Sequence, residues 1–270
     1  MAVEHFAALA CTWLATYFIH STLMLAAVWI ATGRSSSRFD RLAELAWRAA
    51  LVLPIATSLT QQILSSSLAG GSVMRGAIDY TPSPLATSQI PAALWLGVTT
   101  VWMLAATLGL AQLYRGHRML RRQAEVRAPL PKRYLDLLAG IEGIETIPIG
   151  LVGDLPIPFA LRSEIVLPTW ILDRLTVAEL RAVVAHEVAH VRRCDAFWRC
   201  AASAVLRSFV FQPLNWIAES RLRELSECIC DDEAVAATDS AISLAGALEC
   251  LTWPLCATRS TPMIRRAHLR

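Results

Sequence analysis

The chain is short of charge. Of its 270 residues only 17% are Asp, Glu, Lys or Arg, against about a quarter in an ordinary soluble domain, while 55% are hydrophobic and the mean hydropathy is +0.45. This deficit excludes a conventional water-soluble enzyme and points to a membrane protein. A formal net charge of +3 is too small to mark a direct nucleic-acid binder. The seven cysteines follow no secreted disulfide framework, so free thiols are expected. No Lys or Arg precedes the first apolar run, and that run is too long for the core of a cleaved leader, which excludes a secretory signal peptide.

Three long apolar runs account for the hydropathy: Leu9 to Ala31, Leu45 to Leu64 with a kink expected at Pro54, and Pro91 to Tyr114. Polar side chains within them are scarce, and His20 reads as a packed histidine. The segment Gly33 to Arg48, which overlaps the start of the second run, carries Arg34, Arg38, Arg41 and Arg48 against Asp40 and Glu44, and the third run ends in Arg115, Arg118, Arg121, Arg122 and Arg127. Between the second and third, Ser65 to Gln89 is nearly uncharged and reads as an irregular loop. Positive charge collects on the cytosolic side of membrane proteins, so the N-terminus is expected outside and everything after Arg115 in the cytosol. Residues 1–114 thus form a transmembrane region and 115–270 a cytosolic domain. The expected location is the cytoplasmic (inner) membrane, crossed several times.

After Lys132 the pattern becomes that of a mixed α+β domain. A short helix is expected at Tyr134 to Leu138 and a strand at Thr146 to Val152. Phe159 to Leu167 reads as a hairpin or edge strand closed by Pro168. An edge strand ahead of a metal helix would suit a peptide substrate that adds to it by strand pairing. Ala196 to Ile217, interrupted by Arg199, Arg207 and Pro213, reads as an amphipathic or interfacial hairpin. A helix from Asn215 to Ala237 and a packed helix from Ile242 to Ala257 follow, before the basic tail Arg265 to Arg270.

Five residues carry the chemistry. His186-Glu187-Val188-Ala189-His190 is an H-E-x-x-H pattern in a helix opened by the capping box Thr176 to Glu179 and free of Gly and Pro as far as Val191. Residues four apart share a helix face, so both imidazoles can hold one Zn²⁺ while Glu187 takes a proton from the attacking water. A catalytic zinc needs a third protein ligand, and a third His is missing where an extended motif would place it, at Ala196. The candidates are Glu224, Glu227, Asp231, Asp232 and Glu233. Cys194, Cys228 or Cys230 would make a closed thiolate site and leave Glu187 without a role. Arg223 and His117 are possible stabilisers of the oxyanion.

Ala182 to Asp195, followed by Glu227-Cys228-Ile229-Cys230-Asp231-Asp232-Glu233-Ala234-Val235, resembles the integral-membrane metallopeptidases of the β-lactam sensor-transducer type. More distantly it is similar to the CAAX prenyl endopeptidases. The resemblance covers nearly the whole chain and implies His186, His190 and Glu227 as zinc ligands, with Asp231 and Asp195 as supporting acids. A Gly often found near Ala160 is missing. Sensor-transducers continue into a fourth span and an extracellular penicillin-binding domain, and this chain stops before either, so β-lactam sensing is not carried over. The fold expected is mainly α, with three N-terminal transmembrane helices followed by a cytosolic zincin-like α+β metallopeptidase domain.

The function expected is a membrane zinc endopeptidase acting in signal transduction. Its partners would be the lipid membrane and a cytosolic protein substrate, such as a transcriptional repressor or its own chain. A non-catalytic signalling scaffold that keeps a zinc site is the alternative, and a transport or assembly protein using metal for stability is a third reading.

Overall fold

The computed structural model describes residues 2–33, 40–70, 91–125, 127–153 and 155–259, with side chains at 2, 66–70 and 252–259 left aside. Arg34, Arg38, most of the expected loop before Gln89 and the basic tail lie outside the described residues. By packing, the chain divides into two compact units. One joins Met1–Arg115 with Arg199–Leu225, and the other joins Gly116–Trp198 with Ser226–Arg270.

The first unit is built on α1 (Ala2–Thr32), α2 (Asp40–Gly70) and most of α3 (Ala92–Glu125). All three are long and apolar enough to cross a membrane. On α1 one stripe is buried, Ala7, Cys11, Leu14, Tyr17, Ser21 and Leu25, at the three- and four-residue steps of a single helix face. The other faces carry exposed Phe6, Ile19, Leu23, Trp29 and Ile30. A helix apolar all round is one whose solvent is lipid. Its hydroxyls are folded back onto the backbone one turn earlier, as in Thr12 to Ala8 O (2.9 Å) and Thr22 to Phe18 O (2.6 Å).

Two of the expected boundaries move. Helix α2 runs on to Gly70 instead of yielding to a loop at Ser65, because nothing before the Gly70-Gly71 pair breaks it; Pro54 lies inside the same continuous helix. Helix α3 continues through the arginine cluster to Glu125, since a run of Arg, Leu and Gln is a strong helix former.

The same unit contains α7 (Asp195–Ser208) from Arg199 onward and α8 (Leu214–Thr238) as far as Leu225; the stretch expected as a hairpin, Ala196 to Ile217, is α7 with the turn into α8, and α8 itself is the helix expected from Asn215. Leu25 of α1 and Trp47, Ala50 and Leu51 of α2 bury against Ala202, Ala218 and Leu222.

The second unit holds a small sheet and the helix that carries His186 and His190. Strands β1 (Ala128–Pro129), β2 (Ile149–Val152), β3 (Phe159–Ala160) and β4 (Ile165–Pro168) lie in the order β1-β2-β4-β3. β2 and β4 are parallel, with Ile149 opposite Ile165, and the two outer pairings are antiparallel. The expected strand begins only at Ile149 because Ile144–Thr146 forms a 3₁₀ turn. The hairpin expected from Phe159 is β3 turning into β4, with β3 at the sheet edge.

β4 is buried along its whole length, as a strand covered on both faces must be. Ile165 and Leu167 join α4 (Lys132–Leu138), α6 (Val177–Arg192) and α9 (Ala241–Arg259) in the main core, while Val166 faces Ala124, Leu155 and Phe159. Helix α5 (Ile171–Arg174) then leads into α6.

α6 starts as its sequence dictates. Thr176 Oγ1 accepts the Glu179 N–H at 3.3 Å, and Glu179 Oε2 accepts the Thr176 N–H at 2.8 Å, a capping box of about 1 kcal/mol. The helix ends at Arg192 with Arg193 as its C-cap, and Cys194, whose φ of 57° is left-handed, breaks the helical path so that α7 starts at once with Asp195. A side chain in that region is strained by about 1 kcal/mol. Cys194→Gly should therefore raise the thermal midpoint in detergent, equivalent to about 1 kcal/mol. An unchanged or lower midpoint would contradict a left-handed turn at this position.

Candidate metal centre

The rigid stretch of α6 between Ala182 and His190 is almost wholly buried, so the rings it carries have little freedom. Its one-turn spacing brings His186 and His190 together with their Nε2 atoms 3.1 Å apart. Glu227, on α8, closes the third corner: Oε2 is 3.6 Å from His186 Nε2 and Oε1 is 3.7 Å from His190 Nε2. A tetrahedral ion with bonds of about 2.05 Å has ligand atoms about 3.3 Å apart, so the three donors fit one zinc-sized ion after shifts of a few tenths of an ångström. The donor set, two imidazoles and a carboxylate, is one that open zinc sites use.

Each histidine is steadied from behind. His190 Nδ1 donates to Asp195 Oδ2 at 2.9 Å, and both side chains are buried. That bond fixes the proton on Nδ1 and leaves the Nε2 lone pair facing Glu227. Asp231 Oδ1 stands 2.9 Å from His186 Nδ1 but off the N–H direction, so its hold is electrostatic and not a formed hydrogen bond. Glu187 is 8% exposed and close enough for its charge to act on His186.

Burial alone would lower the His186 pKa; the carboxylates of Asp231 and Glu227, with the charge of Glu187, outweigh it and lift the imidazole to about 9. Burial would likewise raise Asp195, yet the bonds from His190 and Ser226 and the Arg193 guanidinium hold its carboxyl well below the usual carboxylate range.

Asp195 Oδ2 collects more donors than the sequence suggests. Besides His190 it accepts from Ser226 Oγ (2.8 Å) and Arg193 Nε (3.2 Å), and the Cys230 thiol lies 3.5 Å away. Ser226 gave no signal as an isolated residue; its only clue is the four-residue step to Cys230, which puts both on one face of α8.

A second group, His190, Asp195 and Cys230, also brings three ligand atoms together. It is the poorer cation site. Arg193 already balances the Asp195 charge, and burial beside Asp195 pushes the Cys230 thiol far up, so the thiolate a metal needs is disfavoured.

Of the other acids considered, Glu224 is engaged by Arg221 at 2.9 Å, and Asp232 and Glu233 are in neither metal-ligand group. Arg223 and His117 are exposed, and Cys194 and Cys228 are exposed thiols outside both groups.

The model of one family, BlaR1 peptidase M56, matches residues 39–245, most of the chain and all of the residues just described. The chain belongs to that family. BlaR1 peptidases are metallopeptidases, and with three helices fit to cross a bilayer this one is a membrane protein, as the resemblance implied. No curated protein matches the chain.

Because His186 is protonated at neutral pH without metal, binding an ion through its Nε2 must release that proton. Affinity should rise with pH until about 9, where the free imidazole loses its proton by itself. Calorimetric zinc titration at neutral pH, in two buffers of different ionisation enthalpy, should count about one proton released per ion. A count near zero would contradict the carboxylate-charged His186 described here.

Proposed function

We propose that this BlaR1 peptidase M56 member is a membrane-embedded zinc endopeptidase that cuts cytosolic regulatory proteins, with His186, His190 and Glu227 holding the metal and Glu187 as general base. The observation that carries the reading is the pair of Nε2 atoms 3.1 Å apart with the Glu227 carboxylate across from both, one residue from a buried acid. Zinc held there would supply Lewis acidity, acidifying a water and polarising a peptide carbonyl.

The remaining work falls to the chain. Glu187 accepts the proton of the attacking water and returns it to the leaving amine. Asp195 keeps His190 in the tautomer with its proton on Nδ1. Asp231 holds positive charge on the His186 side and so favours an ion there.

The free edge of β3 supports a peptide substrate. Phe159 and Ala160 pair with β4 on one side, and among the described residues no strand pairs with the other. An extended segment can add there through main-chain hydrogen bonds, which read little of the sequence, so side-chain selectivity must come from elsewhere. The distribution of arginines supports a cytosolic substrate. Arg115, Arg118, Arg121 and Arg122 at the end of α3 favour the cytosolic side, where repressors or the enzyme's own cytosolic segments would meet the site. Cysteines introduced at Ser72 and Ser260 should label from outside and from the cytosol respectively; equal labelling from outside would reverse this orientation.

Glu187→Gln separates an enzyme from a scaffold. The amide keeps the shape of the side chain and removes the base, so zinc content and membrane insertion should be retained. Cleavage should fall about 10²- to 10⁴-fold, the usual loss on removing a general base. Equal cleavage and equal signalling by both proteins would leave the scaffold reading in its place.

A further inference from the structure

Peptidase chemistry gives no reason for the way the tip of the α7–α8 hairpin is built. Residues 209–213 join the two helices, and Gln212 within them is 1% exposed although it sits in a turn. Its amide nitrogen reaches three acceptors on α1: Ser21 Oγ at 2.7 Å, Thr22 Oγ1 at 2.9 Å and Phe18 O at 3.2 Å. Its Oε1 accepts the Leu214 N–H at 3.3 Å, at the start of α8. Three residues on, buried Asn215 donates to the Tyr17 hydroxyl at 3.2 Å. Phe209 stacks on Tyr17 with ring centroids 3.8 Å apart, and the Trp102 indole N–H of α3 donates to Ser208 O at 2.7 Å.

These partners lie deep in the spans. Ser21 is eleven residues before the end of α1, about 16 Å along the helix axis and about half of a 30 Å hydrocarbon core. Ile55, packed against the cluster of Leu14, Tyr17 and Phe209, is seven residues beyond Arg48, the last charge of α2, a depth of about 10 Å. Trp102 is thirteen residues before Arg115, about 20 Å along α3, and its indole covers part of that distance. Moving the membrane boundary to Thr22 would keep the tip in water. It would also put Leu23 to Thr32 in water, ten residues without a charge, among which Leu23, Trp29 and Ile30 are exposed.

We infer that α7 and α8 form a re-entrant hairpin whose tip is inserted among the lipid acyl chains, entering at the end of the bundle where α1 stops and α2 starts, and that Gln212 latches this tip to α1. The outward side chains suit that solvent. Val210, Phe211 and Trp216 are exposed and apolar, whereas the polar Gln212 and Asn215 point inward. Non-helical backbone survives at membrane depth only where protein covers it. The tip meets this condition by bonding Gln212 N–H to Phe209 O (3.0 Å) and Asn215 N–H to Gln212 O (3.2 Å). Among the described residues of the hairpin the charges nearest the tip are Arg207, packed against Gly109 of α3, whose long stem can carry the guanidinium back toward the headgroups, and Glu219, further down the other arm and bonded to Ser203.

This inference rests on α1 to α3 crossing the bilayer and not on the metal chemistry. Its test is labelling of the full chain in proteoliposomes with a charged maleimide, quantified residue by residue by peptide mass mapping. Native Cys194, which is exposed, gives the reference rate. Phe211→Cys should react about tenfold more slowly than Cys194, and as fast only after the bilayer is dissolved in detergent. Val210→Cys repeats the reading if that protein folds poorly. Leu104→Cys, on the exposed face of α3, is the span control. Fast labelling at 211 with protection at 104 would overturn the inserted hairpin and leave the spans in place, whereas fast labelling at both would remove the membrane reading itself. In a Gln212→Ala background the label at 211 should rise several-fold. Unchanged protection there would overturn the latch.

Discussion

Two imidazoles on one helix turn will not keep their Nε2 atoms 3.1 Å apart unless something behind each ring holds it. In this protein the firmer hold is the buried Asp195 carboxylate, which takes the His190 Nδ1–H and is in turn fixed by Ser226 and Arg193. The rest of the second unit is arranged around that contact. The left-handed turn at Cys194 brings Asp195 back onto the helix that carries His190, and α8 supplies Ser226 and Glu227 from adjacent positions. One residue of α8 thus braces the histidine from behind while the next faces it from the front.

Much of this could be read from the residues. The capping box at Thr176, the one-turn step from His186 to His190 and the three apolar runs all express local rules, and local rules need no knowledge of the fold. The hairpin of β3 and β4 was legible for the same reason, as the stretch Phe159 to Leu167 closed by Pro168. What escaped was long-range. Ser226 is an ordinary serine until α8 packs on α6, and the choice of Glu227 among five acids depends on which face of α8 meets the histidines. Helices α2 and α3 outlast their apolar runs, to Gly70 and Glu125, because Ser, Gln and Arg can continue a helix beyond the apolar stretch.

Helix α8 belongs to both halves of the chemistry. It runs unbroken from Leu214 to Thr238, with Asn215 bonded to Tyr17 near one end and Glu227 and Asp231 beside the histidines twelve and sixteen residues later.

The central claim is that the metal is held by His186, His190 and Glu227 and by no sulfur. X-ray absorption at the zinc edge of the purified, zinc-loaded protein tests this directly. The account predicts a first shell of only nitrogen and oxygen at about 2.0–2.2 Å, with the outer-shell scattering of two imidazoles. A sulfur shell at about 2.3 Å would place the ion with Cys230 and Asp195 instead, and would contradict the site described here.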